Sequence, residues 1–341
     1  MRQRRLRAVI GLAIGLSIVG LLVYGVGWES VLEHISEANP LWLGAGFAAG
    51  AGVLVFRGLI VERLLGPIDG SATGLGFVTA FLGGYFARSA LPWGRSVGTP
   101  ITAYLLAVNS DSEFEDNLAV VATAEVFAFL ASLVIALVGI ILVTVVTGPS
   151  DDLLVAGTAA AVGGLFAIGV LVVVVTTGWA KRASIGLTAR VERFVGRFPR
   201  VDNPGGRLTN RVDGFFTTIS RIGAARRTIA TALLVALVSW ILNVLPLYFA
   251  FLALGIDAPF AVALLCAPLA SFGALLPLPG GTGGIEIVLA TLLVAIGGLS
   301  GDVATAAALL FRLTTYWVHL LLGGFGALYL SIAGTTMVLR P

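Results

Sequence analysis

An all-α, polytopic membrane helical bundle with two re-entrant hairpins in an inverted-repeat arrangement is the fold class this sequence predicts. Three observations carry it. Of 341 residues, 58% are hydrophobic and 11% are charged, less than half the roughly 25% charged residues of a soluble domain. With a mean hydropathy of +1.01, such a chain cannot cover a water-facing surface. Its apolar runs repeatedly reach the ~20 residues that cross a bilayer. Runs such as 153–177 do not alternate every second residue, which selects helices over barrel strands. Finally, two apolar stretches are broken by proline and glycine into arms too short to cross.

Taken in order, Arg2, Arg4, Arg5 and Arg7 precede an apolar run to Val26. It is longer than a signal-peptide core and lacks a small-x-small cleavage site, so it reads as an uncleaved first span with its N-terminus inside. Residues 28–39 carry Glu29, Glu33 and Glu37 and no Arg or Lys, which suits the outer side. A second span over 40–60 exits inside at Arg57, Glu62 and Arg63. Segments 73–87 and 94–108 are each about 15 residues, or about 22 Å of helix against a ~30 Å hydrocarbon core. Between them stands Arg88-Ser-Ala-Leu-Pro-Trp-Gly-Arg95, so 73–108 reads as a hairpin that enters and leaves on one side. Asp111, Glu113, Glu115 and Asp116 then sit at the dipole-favoured N-terminus of a span over 118–146. A further span covers 153–177.

The longest polar segment, 181–227, holds eleven basic residues against Glu192, Asp202 and Asp213. By the positive-inside rule it is cytoplasmic. Leu187, Val191, Phe194, Val195 and Phe198 form one apolar stripe; Leu208, Val212, Phe215, Phe216 and Ile219 form another. The linker 178–227 therefore reads as two amphipathic helices on an anionic lipid surface. After a span over 229–254, segments 259–276 and 284–296 flank the run from Pro277 to Gly284. They form a second hairpin, 259–296, entered from outside. A last span over 303–332 returns inside. The chain is thus one transmembrane domain of the cell membrane with both ends cytoplasmic, its halves covering 1–177 and 228–341. Each half is span, hairpin, span, in opposite orientation, and each tip carries Leu-Pro followed by glycine. Inverted repeats with broken helices near the midplane mark transporters.

Ionisable residues inside spans are costly and functional or paired. Arg88 and Arg95 stand at the first tip, Glu125 two turns into its span, Glu286 after the glycines, and Arg312 three turns into the last span, followed by Tyr316 and His319. Arginine matches a phosphate with its planar fork. Gly280, Gly281, Gly283 and Gly284 allow close backbone approach, and a helix starting near Gly284 aims free N–H groups at an anion. These residues form the expected substrate site. Structural alternatives stay open: Glu286 as a helix cap, Arg312 paired with Glu286 or Glu125, Arg88 reaching interfacial phosphates, and His319 as a packing residue. The single cysteine, Cys266, and the spacing of His34 and His319 suggest no disulfide, metal or cofactor. No P-loop, Gly-x-Ser-x-Gly or His-Glu-x-x-His motif appears, so the reading is non-enzymatic. No nucleic-acid partner is expected, and the oligomeric state is open.

The stretch Pro277-Leu-Pro-Gly-Gly-Thr-Gly-Gly-Ile-Glu286, followed by Leu310-Phe-Arg-Leu-Thr-Thr-Tyr316, resembles the second-half signature of the lysylphosphatidylglycerol synthase transmembrane region family, flippase-like proteins akin to the N-terminal half of multiple peptide resistance factors. Ala90-Leu-Pro-Trp-Gly-Arg-Ser-Val-Gly98 is similar to its first-hairpin motif. Thr282 departs from the family's Pro-Gly-Gly-Leu-Gly pattern, and without a synthase domain lipid aminoacylation is not implied. The resemblance implies movement of a phospholipid or lipid-linked glycan between leaflets. Alternatives are an integral-membrane enzyme or accessory subunit acting on lipid-linked sugars, or a non-transporting scaffold.

Overall fold

A computed structural model describes residues 28–148, 207–276 and 278–338, with 184, 185 and 188. The expected span up to 26, the span over 153–177, nearly all of the linker before 207 and both chain ends lie outside them. Among the described residues the protein is all-helical. Its elements are α1 (Trp28–Ser36), α2 (Pro40–Leu65), α3 (Gly74–Ala90), α4 (Gly94–Val108), α5 (Phe114–Thr147), α6 (Arg207–Ala224), α7 (Arg226–Ala253), α8 (Phe260–Ala270), α9 (Gly284–Ala295), α10 (Gly301–Arg312) and α11 (Val318–Val338). Among these residues, four helical stretches are long and apolar enough to cross a membrane: Pro40–Leu65, Phe114–Val146, Arg226–Ala253 and Gly301–Ile332. Large apolar side chains on their outer faces are left bare, among them Leu41, Val145 and Phe325. In water so much exposed apolar surface would drive aggregation, whereas lipid tails solvate it.

Local sequence explains the boundaries. Asn39 caps α2, its side-chain oxygen accepting from the Leu41 N–H at 2.9 Å, and Pro40 takes the first helical position, where a missing N–H costs nothing. Helix α2 then runs past the expected exit at residue 60. Arg63 in its last turn favours the negative end of the dipole, and the continuation carries Arg57 into the bundle rather than leaving it at a membrane surface. Residues 28–39, expected as an outer segment, contain a short helix, and His34 meets Asp302 at 3.3 Å at the start of α10.

With no water to expel between helices in lipid, close packing of small residues holds a membrane bundle together. Helix α7 lies along α2, α11 along α3, and α8 along α5. At the α5–α8 crossing a Cβ on Gly139 would come within 2.6 Å of the Leu265 nitrogen, so glycine sets the interaxial distance there. The Trp240 indole on α7 donates to the Ala128 carbonyl of α5 at 2.5 Å, tying those two helices together. The core runs through these contacts and includes Leu64, Leu106, Val120, Leu247, Phe251 and Leu289.

The last span, expected to be continuous, widens into one π turn over Leu313–Trp317. Its cause is local. Helix α2 passes so close that a Cβ on Gly50 would collide with the Thr314 carbonyl oxygen, and the imidazole Nε2 of His319 meets the Gly50 carbonyl at 2.8 Å. Such bulges concentrate at functional sites. Helix α6 contains the second predicted apolar stripe. It packs against α5, where Thr218 donates to Asp116 and Ile222 is buried.

Candidate functional site

Helices α3 and α4 pack together, as do α8 and α9, and the turns between them adopt the same local conformation. At the first, Leu91 is extended (φ −97°, ψ 145°) and Trp93 is left-handed (φ 58°, ψ 26°). At the second, Leu278 is extended (φ −106°, ψ 147°) and Gly280 is left-handed (φ 58°, ψ 15°). Each turn is Leu-Pro followed by a left-handed residue. That conformation costs a non-glycine residue roughly 1–2 kcal/mol, so Trp93, among the described residues the one non-glycine with positive φ, is strained.

The two tips flank one cavity of about 120 Å³. Its walls come from α2 (Arg57), α3 (Tyr85, Arg88), α7 (Asn243), the glycine run, the end of α10 (Arg312) and the π turn beyond. An adjoining cavity of about 30 Å³ shares Arg57, Tyr85 and Arg88 and reaches Glu125.

Arg312 is buried at the end of α10. Its Nε donates to Glu286 Oε1 at 3.0 Å and its Nη2 to the Gly280 carbonyl at 2.9 Å. The guanidinium carbon lies 4.3 Å from the centre of the Tyr316 ring. The other carboxylate oxygen of Glu286 accepts the Gly283 N–H at 2.9 Å. Glu286 therefore closes the N-terminus of α9 and balances Arg312, both of the structural roles left open by the sequence. The Tyr316 hydroxyl reaches the Ser89 carbonyl at 3.4 Å, joining the last span to the first tip.

The glycines have distinct functions here. A Cβ on Gly280 would strike the Tyr316 ring, so this position admits the aromatic ring only as glycine. Gly281 (φ +69°) and Gly283 (φ +84°) supply left-handed turns, and Gly284 abuts the Gly273 backbone where α9 leaves the tip. Gly280 and Gly281 line the cavity directly.

In the first half, Arg88 donates to Glu125 across α3 and α5, and its guanidinium lies 5.7 Å from the Tyr85 ring centre. The Arg88 side chain is 15% exposed and that of Glu125 38%, so this pair is the more open of the two. Arg95 falls in the first turn of α4, and its side chain lies outside the described residues. The structure thus brings Arg88, Gly280, Gly281, Arg312 and Tyr316 to one wall, sets Glu286 behind it, and places Glu125 next door.

Among the contributors not assigned to the site from sequence are Arg57, Asn243 and His319. Arg57 lines both cavities, and its buried Nε has no hydrogen-bond partner among the described residues. The signal was present: an arginine with apolar sequence on both sides is an intramembrane charge once α2 is extended to Leu65. Asn243 sits inside the apolar span α7 for the same reason. His319 lines the cavity from the first turn of α11, its ring edge-on to Tyr85 with centroids 5.4 Å apart.

Residues 8–323 match the model of the lysylphosphatidylglycerol synthase TM region. The chain belongs to this family. Among relatives of this lysylphosphatidylglycerol synthase TM region protein, a UPF0104 membrane protein of Methanothermobacter thermautotrophicus is 23% identical over 96% of this chain and 95% of its own. Glycosyltransferase AglD of Haloferax volcanii is 25% identical over 98% of this chain, which spans 56% of that protein. A UPF0104 membrane protein of Pyrococcus horikoshii is 30% identical over 35% of each chain. The family match covers both glycine- and proline-broken turns and all of the cavity residues named above.

Proposed function

We propose that this protein is a lipid translocase that moves a phospholipid or lipid-linked headgroup between leaflets, binding its phosphate in the cavity between the two tips. One observation carries the reading. Three guanidiniums, those of Arg57, Arg88 and Arg312, line a cavity whose nearby carboxylates are Glu125 and Glu286. One positive charge has no acidic counterpart among the described residues, and the Arg57 Nε within it has no partner. An uncompensated charge at membrane depth is expensive, and an anionic headgroup offsets that cost while using the free donors.

The matching Leu-Pro-left-handed turns support two re-entrant hairpins in inverted halves, whose rocking about a fixed site gives alternating access. On this reading both chain ends are cytoplasmic, and the basic linker rests on anionic lipid. A second reading rests on the alignment with glycosyltransferase AglD along nearly the whole of this chain: an accessory or catalytic role on lipid-linked sugars.

Proteoliposomes carrying a headgroup-labelled anionic lipid test the choice. Protein-dependent access of an external quencher to inner-leaflet label, lost in Arg57→Ala and Arg312→Ala proteins that still fold, supports translocation. Product formation from a lipid-linked sugar, with no change in label access, would replace it with the second reading.

A further inference from the structure

The two cavities meet at Arg57, Tyr85 and Arg88, which line both. The smaller one reaches α4 through Thr99 and Thr102 and α5 through Glu125, and its remaining walls are mainly apolar, Ile60 and Phe81 among them. Its charges do not balance. Glu125 accepts from Arg88, and Glu286, the carboxylate behind the larger cavity, is held by Arg312 and the Gly283 N–H. Among the described residues Arg57 enters no ion pair, and its buried Nε has no hydrogen-bond partner.

Guanidinium groups stay ionised in proteins, so the surplus charge cannot be shed as a proton. A charge at membrane depth without a counter-charge is costly. A lipid headgroup in the larger cavity offsets that cost only while it is bound. The unloaded protein still sets Arg57, Arg88 and Arg312 against Glu125 and Glu286 and needs an anion of its own. The smaller cavity has the size for one. Its volume is about 30 Å³, room for roughly two or three water-sized occupants at ~10–15 Å³ each. That admits a monatomic anion with a little water and is too small for a phosphate carrying a polyol. Apolar walls favour a weakly hydrated monovalent ion over a multiply charged one.

We propose that the smaller cavity is a binding site for a halide-sized inorganic anion, chloride above all, held between Arg57 and Arg88 when no headgroup is loaded. The site goes beyond the lipid-binding reading and does not depend on it. Glu125 shares the cavity and opposes an anion in a medium that screens little, so the ion's affinity is set by how fully Arg88 neutralises that carboxylate.

The test is thermal melting of the full chain in detergent micelles, at fixed ionic strength, as gluconate is replaced by chloride or bromide. Gluconate, a carboxylate on a polyol chain, is too large for the cavity. The expected result is a saturable rise in melting temperature with either halide, as for any ligand that binds the folded state alone. A crystal structure of the bromide form, read by anomalous scattering, is expected to place an ion between Arg57 and Arg88. Arg57→Gln removes the surplus charge; it is expected to abolish the halide dependence and to melt in gluconate no lower than wild type. Glu125→Gln is expected to lower the half-saturating chloride concentration several-fold.

Equal melting of wild type in chloride and gluconate overturns the proposal, and so does an undiminished halide dependence in Arg57→Gln. Bromide seen at this position without a saturable rise in melting is an adventitious ion only and overturns it as well. The wild-type titration needs no variant to fold. Saturable halide binding by a protein that moves no lipid would leave this site standing and defeat the transport reading. Lipid translocation without halide dependence would do the reverse.

Discussion

Arg312 and Glu286, twenty-six residues apart in sequence, meet at 3.0 Å inside the bundle with 8% and 4% of their side chains exposed. The pair is fixed from behind, since Glu286 is held by the Gly283 N–H and Arg312 by the Gly280 carbonyl. Arg88 and Glu125 form the corresponding contact in the first half, but Glu125 is far more open. The two ion pairs therefore divide into a fixed tie and an exchangeable one.

For the tie, removing one partner leaves a buried charge uncompensated, at a cost of about 3–5 kcal/mol. Glu286→Ala and Arg312→Ala are each expected to lower the melting temperature in detergent. The double variant is expected to lose less than the sum of the two, with a coupling of about 0.5–3 kcal/mol. Additive losses would show that the contact contributes nothing of its own.

The exchangeable pair behaves differently. Glu125 is the more open partner, so its loss is expected to lower melting less than the loss of either member of the tie. Glu125→Gln also frees Arg88 for an anion. Affinity for an anionic lipid headgroup should rise several-fold and translocation should slow, because release becomes harder. Unchanged affinity would mean that Glu125 does not compete with the ligand.

Gly280→Ala combines two penalties: a left-handed φ of +58°, costing about 1–2 kcal/mol, and a Cβ driven into the Tyr316 ring. Overpacking of this kind costs about 1–3 kcal/mol. Adding Tyr316→Ala to Gly280→Ala should relieve the collision but not the backbone strain. Melting temperatures of the two proteins, each referred to its own Gly280 parent, separate the two effects. Equal penalties in both backgrounds would remove the collision from the account.

Trp240→Phe keeps the aromatic packing but removes the indole donor at Ala128. The expected loss is about 1 kcal/mol, typical of one hydrogen bond, read as a modest fall in melting temperature. A loss several times larger would make Trp240 a packing keystone rather than a hydrogen-bonding link between α5 and α7.

Much of the architecture was legible in the sequence because lipid imposes a simple demand. Every spanning segment must satisfy its own backbone, so long apolar runs had to become helices, and α5 and α7 appear within a few residues of their expected ends. Pro92 and the glycines from Gly280 to Gly284 marked both breaks, since proline lacks a donor and glycine permits left-handed turns. The intramembrane charges at Arg88, Glu125, Glu286 and Arg312 stood out by their cost alone.

Spacing along the chain carries no information about which distant helices touch, and that is what only the tertiary structure decided. It paired Arg312 with Glu286, one of the two partners the sequence left open, and turned Arg88 inward to Glu125 rather than outward to interfacial phosphates. It carried Arg57 into the cavity by extending α2 to Leu65. It also placed the π turn opposite Gly50, a contact between segments more than 260 residues apart. The sequence by itself determined a helical membrane protein with two segments broken by proline and glycine, through local backbone chemistry. Packing across the bundle determined which charges are neutralised and which face the cavity.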